Sequence, residues 1–133
     1  MKKTLRAIVL IMAGLLVLAA LTSCGKTINS IEKKATDAGF ECEEVSETML
    51  ASMNTALPIM GIDGEIKAAI EIGGEVDGES VWAEVYEFDS ASAAKTFVEK
   101  FETLVGSIDE DEALERSGKV VISGDKAIVE KVW

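Results

Sequence analysis

The sequence has no histidine, one proline and two cysteines, and its 24 acidic residues outnumber its 13 basic ones in a chain of 133. Without histidine there is no Ser–His or Cys–His nucleophilic pair and no imidazole ligand for zinc or haem. The net charge of −11 and a pI near 4.4 leave no basic footprint for nucleic acid. We therefore expect neither nucleic-acid binding nor catalysis that depends on histidine.

Apolar residues are concentrated at the N-terminus. Lys2, Lys3 and Arg6 precede an apolar run over residues 7–21. A basic segment followed by an apolar segment and small residues is typical of a secretory signal peptide. The alternative is a retained transmembrane anchor, because about 20 apolar residues span a bilayer. The run is slightly shorter than that and ends in Thr-Ser-Cys-Gly instead of an aromatic or basic flank, which favours the signal peptide.

Residues 21–25 read Leu-Thr-Ser-Cys-Gly, which resembles the lipobox of bacterial lipoproteins. The resemblance covers residues 1–25 only. It implies cleavage before Cys24, a diacylglyceryl group on the Cys24 thiol, and a protein anchored by lipid on the extracytoplasmic face of the cell membrane. Two acyl chains make such an anchor stable, since each buried methylene contributes about 0.8 kcal/mol.

On this resemblance the chain divides into a signal peptide at 1–23, a lipidated N-terminus with a short tether at 24–27, and one globular domain at 28–133. The part that remains after cleavage has the size of a single domain. Its net charge is more negative than −11, because cleavage removes three basic residues and no acidic one. Anionic lipid surfaces and polyanions therefore repel it.

Apolar residues spaced three and four apart predict three helices, over residues 28–38, 46–57 and 90–105. Ser46 is placed to cap the second helix and Pro58 to end it. The third helix carries a continuous apolar stripe, which predicts that it packs against a sheet.

The Asp-Gly pair at 77–78 predicts a two-residue hairpin turn. Folding the chain about this turn places Ile72 opposite Ala83 and Glu71 opposite Glu84, the latter an unfavourable pair of like charges. One face of the hairpin then collects the apolar side chains of Ile66, Ala68, Ile70, Ile72, Val76, Val81, Ala83 and Val85. The position of the Asp-Gly turn and the alternation of apolar residues support the same register.

A short strand is predicted at 40–45, and a second hairpin is predicted from strands 119–123 and 126–133 about the pair 124–125. Residues 107–117 are predicted to form an acidic loop. The order of elements predicts an α+β domain, with a mainly antiparallel sheet of about five strands and two or three helices packed on one face of it.

Trp82, Tyr86 and Phe88 share the other face of the first hairpin. If exposed, they would form an interaction surface. If the helix at 28–38 or 46–57 covers that face, they are core residues instead, because aromatic side chains dominate cores as readily as interfaces.

Cys42 has no intrachain partner once Cys24 carries lipid. We expect its thiol to be buried, since a free cysteine behaves as a small hydrophobe. Its neighbours Glu41 and Glu43 would raise the thiol pKa and make it a poor nucleophile.

Two groups of residues have side chains that metal ions favour. Met49 and Met53, with Met60 or Cys42, could offer soft ligands to Cu(I), but methionines at helical spacing are typical of core packing. The carboxylates of residues 109–112 could hold Ca²⁺, but such a run is typical of a solvated loop. We expect no metal and no cofactor.

Together these features predict a membrane-anchored bacterial lipoprotein with a non-enzymatic domain. Its expected partners are the membrane, through the lipid on Cys24, and another protein of the cell envelope, which the domain binds or modulates. The alternative is a lipoprotein that binds a small ligand or cation with its acidic surface. No catalytic residue is expected.

Overall fold

The computed structural model describes residues 26–106 and 109–133, and this part of the chain holds four helices and five strands. In chain order they are α1 Ile28–Asp37, β1 Glu41–Glu44, α2 Glu47–Ile59, β2 Ile66–Val76, β3 Glu79–Phe88, α3 Ala91–Val105, β4 Glu112–Ser117, β5 Val120–Asp125 and α4 Lys126–Val132. No helix within these ranges is long and apolar enough to cross a membrane. The predicted signal peptide and Cys24 lie outside the described residues.

The five strands form one antiparallel sheet in the order β1-β2-β3-β5-β4. The α+β class and the five-stranded antiparallel sheet are therefore as predicted. Helices cover both faces, however: α1 and α4 pack on one and α2 and α3 on the other. The prediction that helices cover one face only is wrong. The interior strand β5 is apolar on both sides, with Ile122 in one core and Val121 in the other, so both faces have to be covered.

Three helices begin with side-chain caps that satisfy backbone N–H groups in their first turn. The Ser46 hydroxyl accepts from Met49 N at 3.2 Å, and the Ser90 hydroxyl accepts from Ala93 N at 3.0 Å. Pro58 does not end α2, which continues to Ile59. A proline so near the end of the helix costs it few hydrogen bonds.

The first hairpin has the predicted register, with Ile72 opposite Ala83. Asp77 and Gly78 adopt positive φ angles of 54° and 83°, as a two-residue turn requires. One predicted position is wrong. A bulge between Ile66 and Ala68 moves Ile66 to the face that carries α2 and α3, because an extra residue reverses the alternation of side chains.

The second hairpin lies elsewhere than predicted. β4 and β5 pair about a turn at residues 118–119, and residues 126–132 are a helix rather than a strand. Gly118 provides the positive φ, 60°, that the turn needs. Gly124 lies within β5, against β3, and a Cβ there would stand 2.5 Å from Ala83 Cα. The prediction of an acidic loop at 107–117 is also wrong from Glu112 onward, because β4 begins there.

The close contact at Gly124 predicts a large loss of stability on substitution. Gly124→Ala should lower the free energy of unfolding by about 1–3 kcal/mol, because the methyl group overlaps β3 backbone. Gly73→Ala is the matched control: a Cβ there meets only Val81 O, at 3.9 Å, so the change should stay within about 0.5 kcal/mol. Urea unfolding of both variants measures the difference. Equal effects would contradict the close contact.

Candidate functional site

The structure separates the three aromatic residues predicted to share a surface. Phe88 is only 1% exposed and packs on Phe97, with ring centroids 5.3 Å apart. Tyr86 is half-buried, edge-on to the same Phe97 ring at 5.7 Å. Trp82 is 54% exposed. The prediction that Phe88 belongs to an exposed surface is thus wrong, because α2 and α3 cover that end of the sheet. Of the three aromatic residues, Trp82 alone is exposed, at the other end.

Carboxylates surround Trp82 on this uncovered end. The register places Glu43 opposite Glu71, and Glu71 opposite Glu84, so that three glutamates form a row across three strands. The adjacent row runs from Glu41 through Gly73 to Trp82. We call these six residues the acidic face: Glu41, Glu43, Glu71, Gly73, Trp82 and Glu84.

A groove of about 880 Å³ runs over the acidic face and along β1. Its lining adds one face of α1 and the apolar residues beside it to the acidic face: Glu32, Thr36, Phe40, Cys42 and Ile72. Five glutamates line the groove, and none of the described residues that line it is basic. Its floor is open above Gly73, where a Cβ would meet no side chain within 4 Å.

The row of glutamates destabilises the folded domain. Like charges directly opposite each other on neighbouring strands repel. Within the described residues the ion pairs are Lys33–Asp37 and Lys67–Glu65, and neither involves the acidic face. Glu84 gains a hydrogen bond from Tyr86, but no described ion pair or side-chain hydrogen bond involves Glu43 or Glu71. A local arrangement that costs stability is typical of a functional surface.

Two hydrogen bonds hold the acidic face in place. The Tyr86 hydroxyl donates to Glu84 Oε1 at 2.6 Å. This bond holds the carboxylate at the edge of the core that α2 and α3 cover. Burial, this hydrogen bond, and the charges of Glu84 and Glu71 raise the pKa of Tyr86 far above its ordinary value. Asp125 Oδ2 accepts from Trp82 N at 2.8 Å and so ties β3 to β5 beside the exposed indole.

Cys42 lies on the opposite side of β1, where its Sγ is 3.8 Å from Glu32 O and 4.0 Å from Thr36 Oγ1. The thiol packs against the core that α1 and α4 cover, but it is only half-buried. The expectation that it is fully buried is wrong. Burial is the main cause that raises its pKa, Glu32 adds to it, and the Thr36 hydroxyl opposes it. Glu41 and Glu43 are not among the causes, because alternate side chains point to opposite faces of a strand.

The side chains that could bind a metal do not lie close together. Met49 is 55% exposed, Met53 packs in the α2–α3 core, and Cys42 lies across the sheet against α1. Asp109 and the two residues after it are exposed. Within residues 26–106 and 109–133, no group of three or more His, Cys, Asp or Glu side chains could hold a metal ion.

Trp82 and the Glu71–Glu84 pair are predictable from the sequence, whereas the contributions of β1 and α1 to the same groove are not among its predictions. The alternation in β1, where Glu41 and Glu43 flank Cys42, was a usable signal, since it puts two glutamates on one face. What it could not show was which strand β1 pairs with. The carboxylate row across three strands depends on that pairing.

No family model matches the chain, and neither do any curated protein or any solved structure.

The raised pKa of Tyr86 predicts a specific loss of stability in alkali. A tyrosine whose folded pKa exceeds its unfolded value near 10 stabilises the fold fully below pH 10, and this stabilisation is lost as the pH rises further. Tyr86 is the only tyrosine, so tyrosinate absorbance reports it directly. We expect no tyrosinate in the folded protein at pH 10–11, and a weaker alkaline loss of stability in Tyr86→Phe. Ordinary titration of the folded protein near pH 10 would contradict this.

The surroundings of Cys42 predict opposite effects of two substitutions on its labelling by a thiol reagent at neutral pH. Glu32→Gln should speed labelling, because it removes a charge that raises the thiol pKa. Thr36→Ala should slow it, because it removes a hydrogen bond that lowers the pKa. Asp37→Asn, which removes a charge from the same helix, is the control. Peptide-level mass spectrometry follows Cys42, and a shift of the same sign in both variants would refute this account.

Proposed function

We propose that this protein is a membrane-anchored lipoprotein whose domain binds a positively charged segment of another envelope protein through the acidic face. The observation that carries the proposal is Trp82, 54% exposed beside a row of three carboxylates that helices leave uncovered. Tryptophan is enriched among the residues that dominate binding energy at protein interfaces. Its ring face also attracts Lys and Arg side chains.

The attachment of Lys26 supports an anchor close to the domain. Lys26 N donates to Ser117 Oγ at 3.2 Å, and its Nζ donates to Trp133 O at 2.7 Å while standing 5.3 Å from the Trp133 ring. Only Gly25 separates Lys26 from Cys24. Two residues of chain reach at most about 7 Å, so a lipid on Cys24 would hold this end of the domain against the bilayer.

The same attachment supports an acidic face turned away from the membrane. Ser117 pairs with Val120, and Val120 pairs with Glu87, so Lys26 lies at the Glu87 end of β3. Trp82 lies five residues farther along β3. At about 3.3 Å per residue this is about 17 Å. Repulsion between the acidic domain and an anionic membrane favours the same orientation.

Charge complementarity selects a basic partner. Five glutamates line a groove that contains no base among its described lining residues, so a bound Lys or Arg side chain relieves repulsion that the free protein bears. An open groove with a Trp at one side suits a protein segment better than an enclosed small molecule, because small-ligand sites bury most of their ligand in apolar walls.

The test uses the full-length protein with its own signal, purified in detergent micelles, with Trp133→Phe so that Trp82 is the sole tryptophan. Oligolysine should give a saturable change in Trp82 fluorescence that weakens with salt, and oligoglutamate should give none. Glu43→Gln with Glu71→Gln should weaken oligolysine binding about tenfold, a change of about 1.4 kcal/mol. Glu99→Gln with Glu102→Gln removes the same charge from exposed positions on α3 and should change little.

Two results would contradict the proposal. Equal weakening in both double variants would mean that net charge, not the acidic face, binds the peptide. A full response to calcium or to free lysine at the same concentration would favour the alternative of a small-cation site.

A further inference from the structure

We infer that the basic segment binds as an added β-strand on the free edge of β1. This inference rests on the proposed function and specifies how the basic segment binds. β1 is the outermost strand on its side of the sheet, and within the described residues no strand lies beyond it. An exposed edge presents unpaired backbone N–H and C=O groups that an extended segment can bond.

The hydrogen bonds of β1 identify which backbone groups are free. Val45 N donates to Ala69 O at 3.0 Å, which marks that pair as hydrogen-bonded to β2. Bonded and non-bonded pairs alternate along an antiparallel ladder. Glu43 is therefore bonded to β2, whereas Cys42 and Glu44 direct their N–H and C=O groups outward from the sheet.

The groove supplies the space for a further strand. Its lining includes Glu32 and Thr36 of α1 on one side of β1, and Gly73 and Trp82 on the other side. The open volume thus passes around the edge of β1 instead of stopping on one face. A strand added there would lie about 4.8 Å from β1, with alternate side chains toward α1 and toward the acidic face.

The charge of β1 selects the occupant. Three of its four residues, Glu41, Glu43 and Glu44, are glutamates. A second copy of this chain would bring the same glutamates to the shared edge, and like charges facing each other across a strand pair destabilise it. A segment rich in Lys and Arg meets carboxylates on both sides instead, with Glu32 on the α1 side and Glu43 on the acidic face.

Charges on an edge strand also prevent aggregation. That role alone requires neither the open floor at Gly73 on β2 nor an exposed Trp82 on β3. Strand addition uses the unpaired groups of Cys42 and Glu44 directly. Trp82 lies on β3, about 14 Å from a strand added to β1, so a long Lys or Arg side chain of the segment would cross the open floor at Gly73 to reach it.

The test is amide hydrogen exchange, followed by NMR on the full-length protein in micelles with and without a peptide of eight alternating Lys and Val residues. Strand addition should slow exchange at the Cys42 and Glu44 amides at least tenfold when the peptide saturates. The Glu43 amide, already bonded to β2, should change little. Trp82 fluorescence in the Trp133→Phe background reports binding independently of exchange.

The outcomes separate this inference from the proposed function. A saturable fluorescence change without protection of Cys42 and Glu44 overturns strand addition and leaves the proposed function standing. Absence of any fluorescence change and of any protection overturns both. Protection of the two outward amides with the fluorescence change supports both.

A pair of variants tests the backbone contact a second way. Glu44→Pro removes one outward N–H, and proline is tolerated on an edge strand where the N–H is unpaired. Glu44→Gln removes the same charge and keeps the N–H. The proline variant should bind the Lys–Val peptide at least fivefold more weakly than the glutamine variant. Equal affinities, with both variants folded by circular dichroism, would overturn strand addition.

Discussion

The register of the β2–β3 hairpin is the constraint on which the rest of the structure depends. The turn at Asp77 and Gly78 determines which residues face each other, and because side chains alternate, it also determines which residues share a face. A slip of one residue would turn Ile70 and Ile72 toward solvent and the glutamates of β2 into the core. The packing of α1 and α4, the position of β1, and the acidic face all follow from this register.

The same register that builds the core produces the repulsion at the surface. Placing Ile72 against Ala83 necessarily places Glu71 against Glu84, and the pairing of β1 adds Glu43 to the row. Burial of an apolar strand face outweighs repulsion between exposed carboxylates, since exposed charges are screened by solvent. The fold can therefore carry an unfavourable row of charges at the end that α2 and α3 leave open.

Local signals explain what could be predicted from the sequence. The turn at residues 77–78 and the Ser46 cap of α2 involve neighbours in the chain, and the structure has them as predicted. Residues 126–132 were mistaken for a strand because a short apolar run fits both periods. The burial of Phe88 and the arrival of Glu43 beside Glu71 depend on contacts between distant segments, which no local pattern encodes.

On the proposed function, the distance between the anchored end and the acidic face has a physical consequence. Basic segments near an anionic membrane bind the lipid surface with about 1 kcal/mol for each Lys or Arg. That attraction decays over a Debye length of about 8 Å at physiological salt. The row of glutamates crosses β3 at Glu84, about 10 Å from the Lys26 end, and Trp82 lies about 17 Å from it, so both would stand beyond one Debye length of that end. A lipid anchor at one end of the sheet and carboxylates at the other would therefore let the domain compete with the bilayer for a basic segment and hold it away from the surface. The short link between Cys24 and Lys26 would make this competition local, because a lipid anchor would keep the acidic face at a high effective concentration around membrane partners.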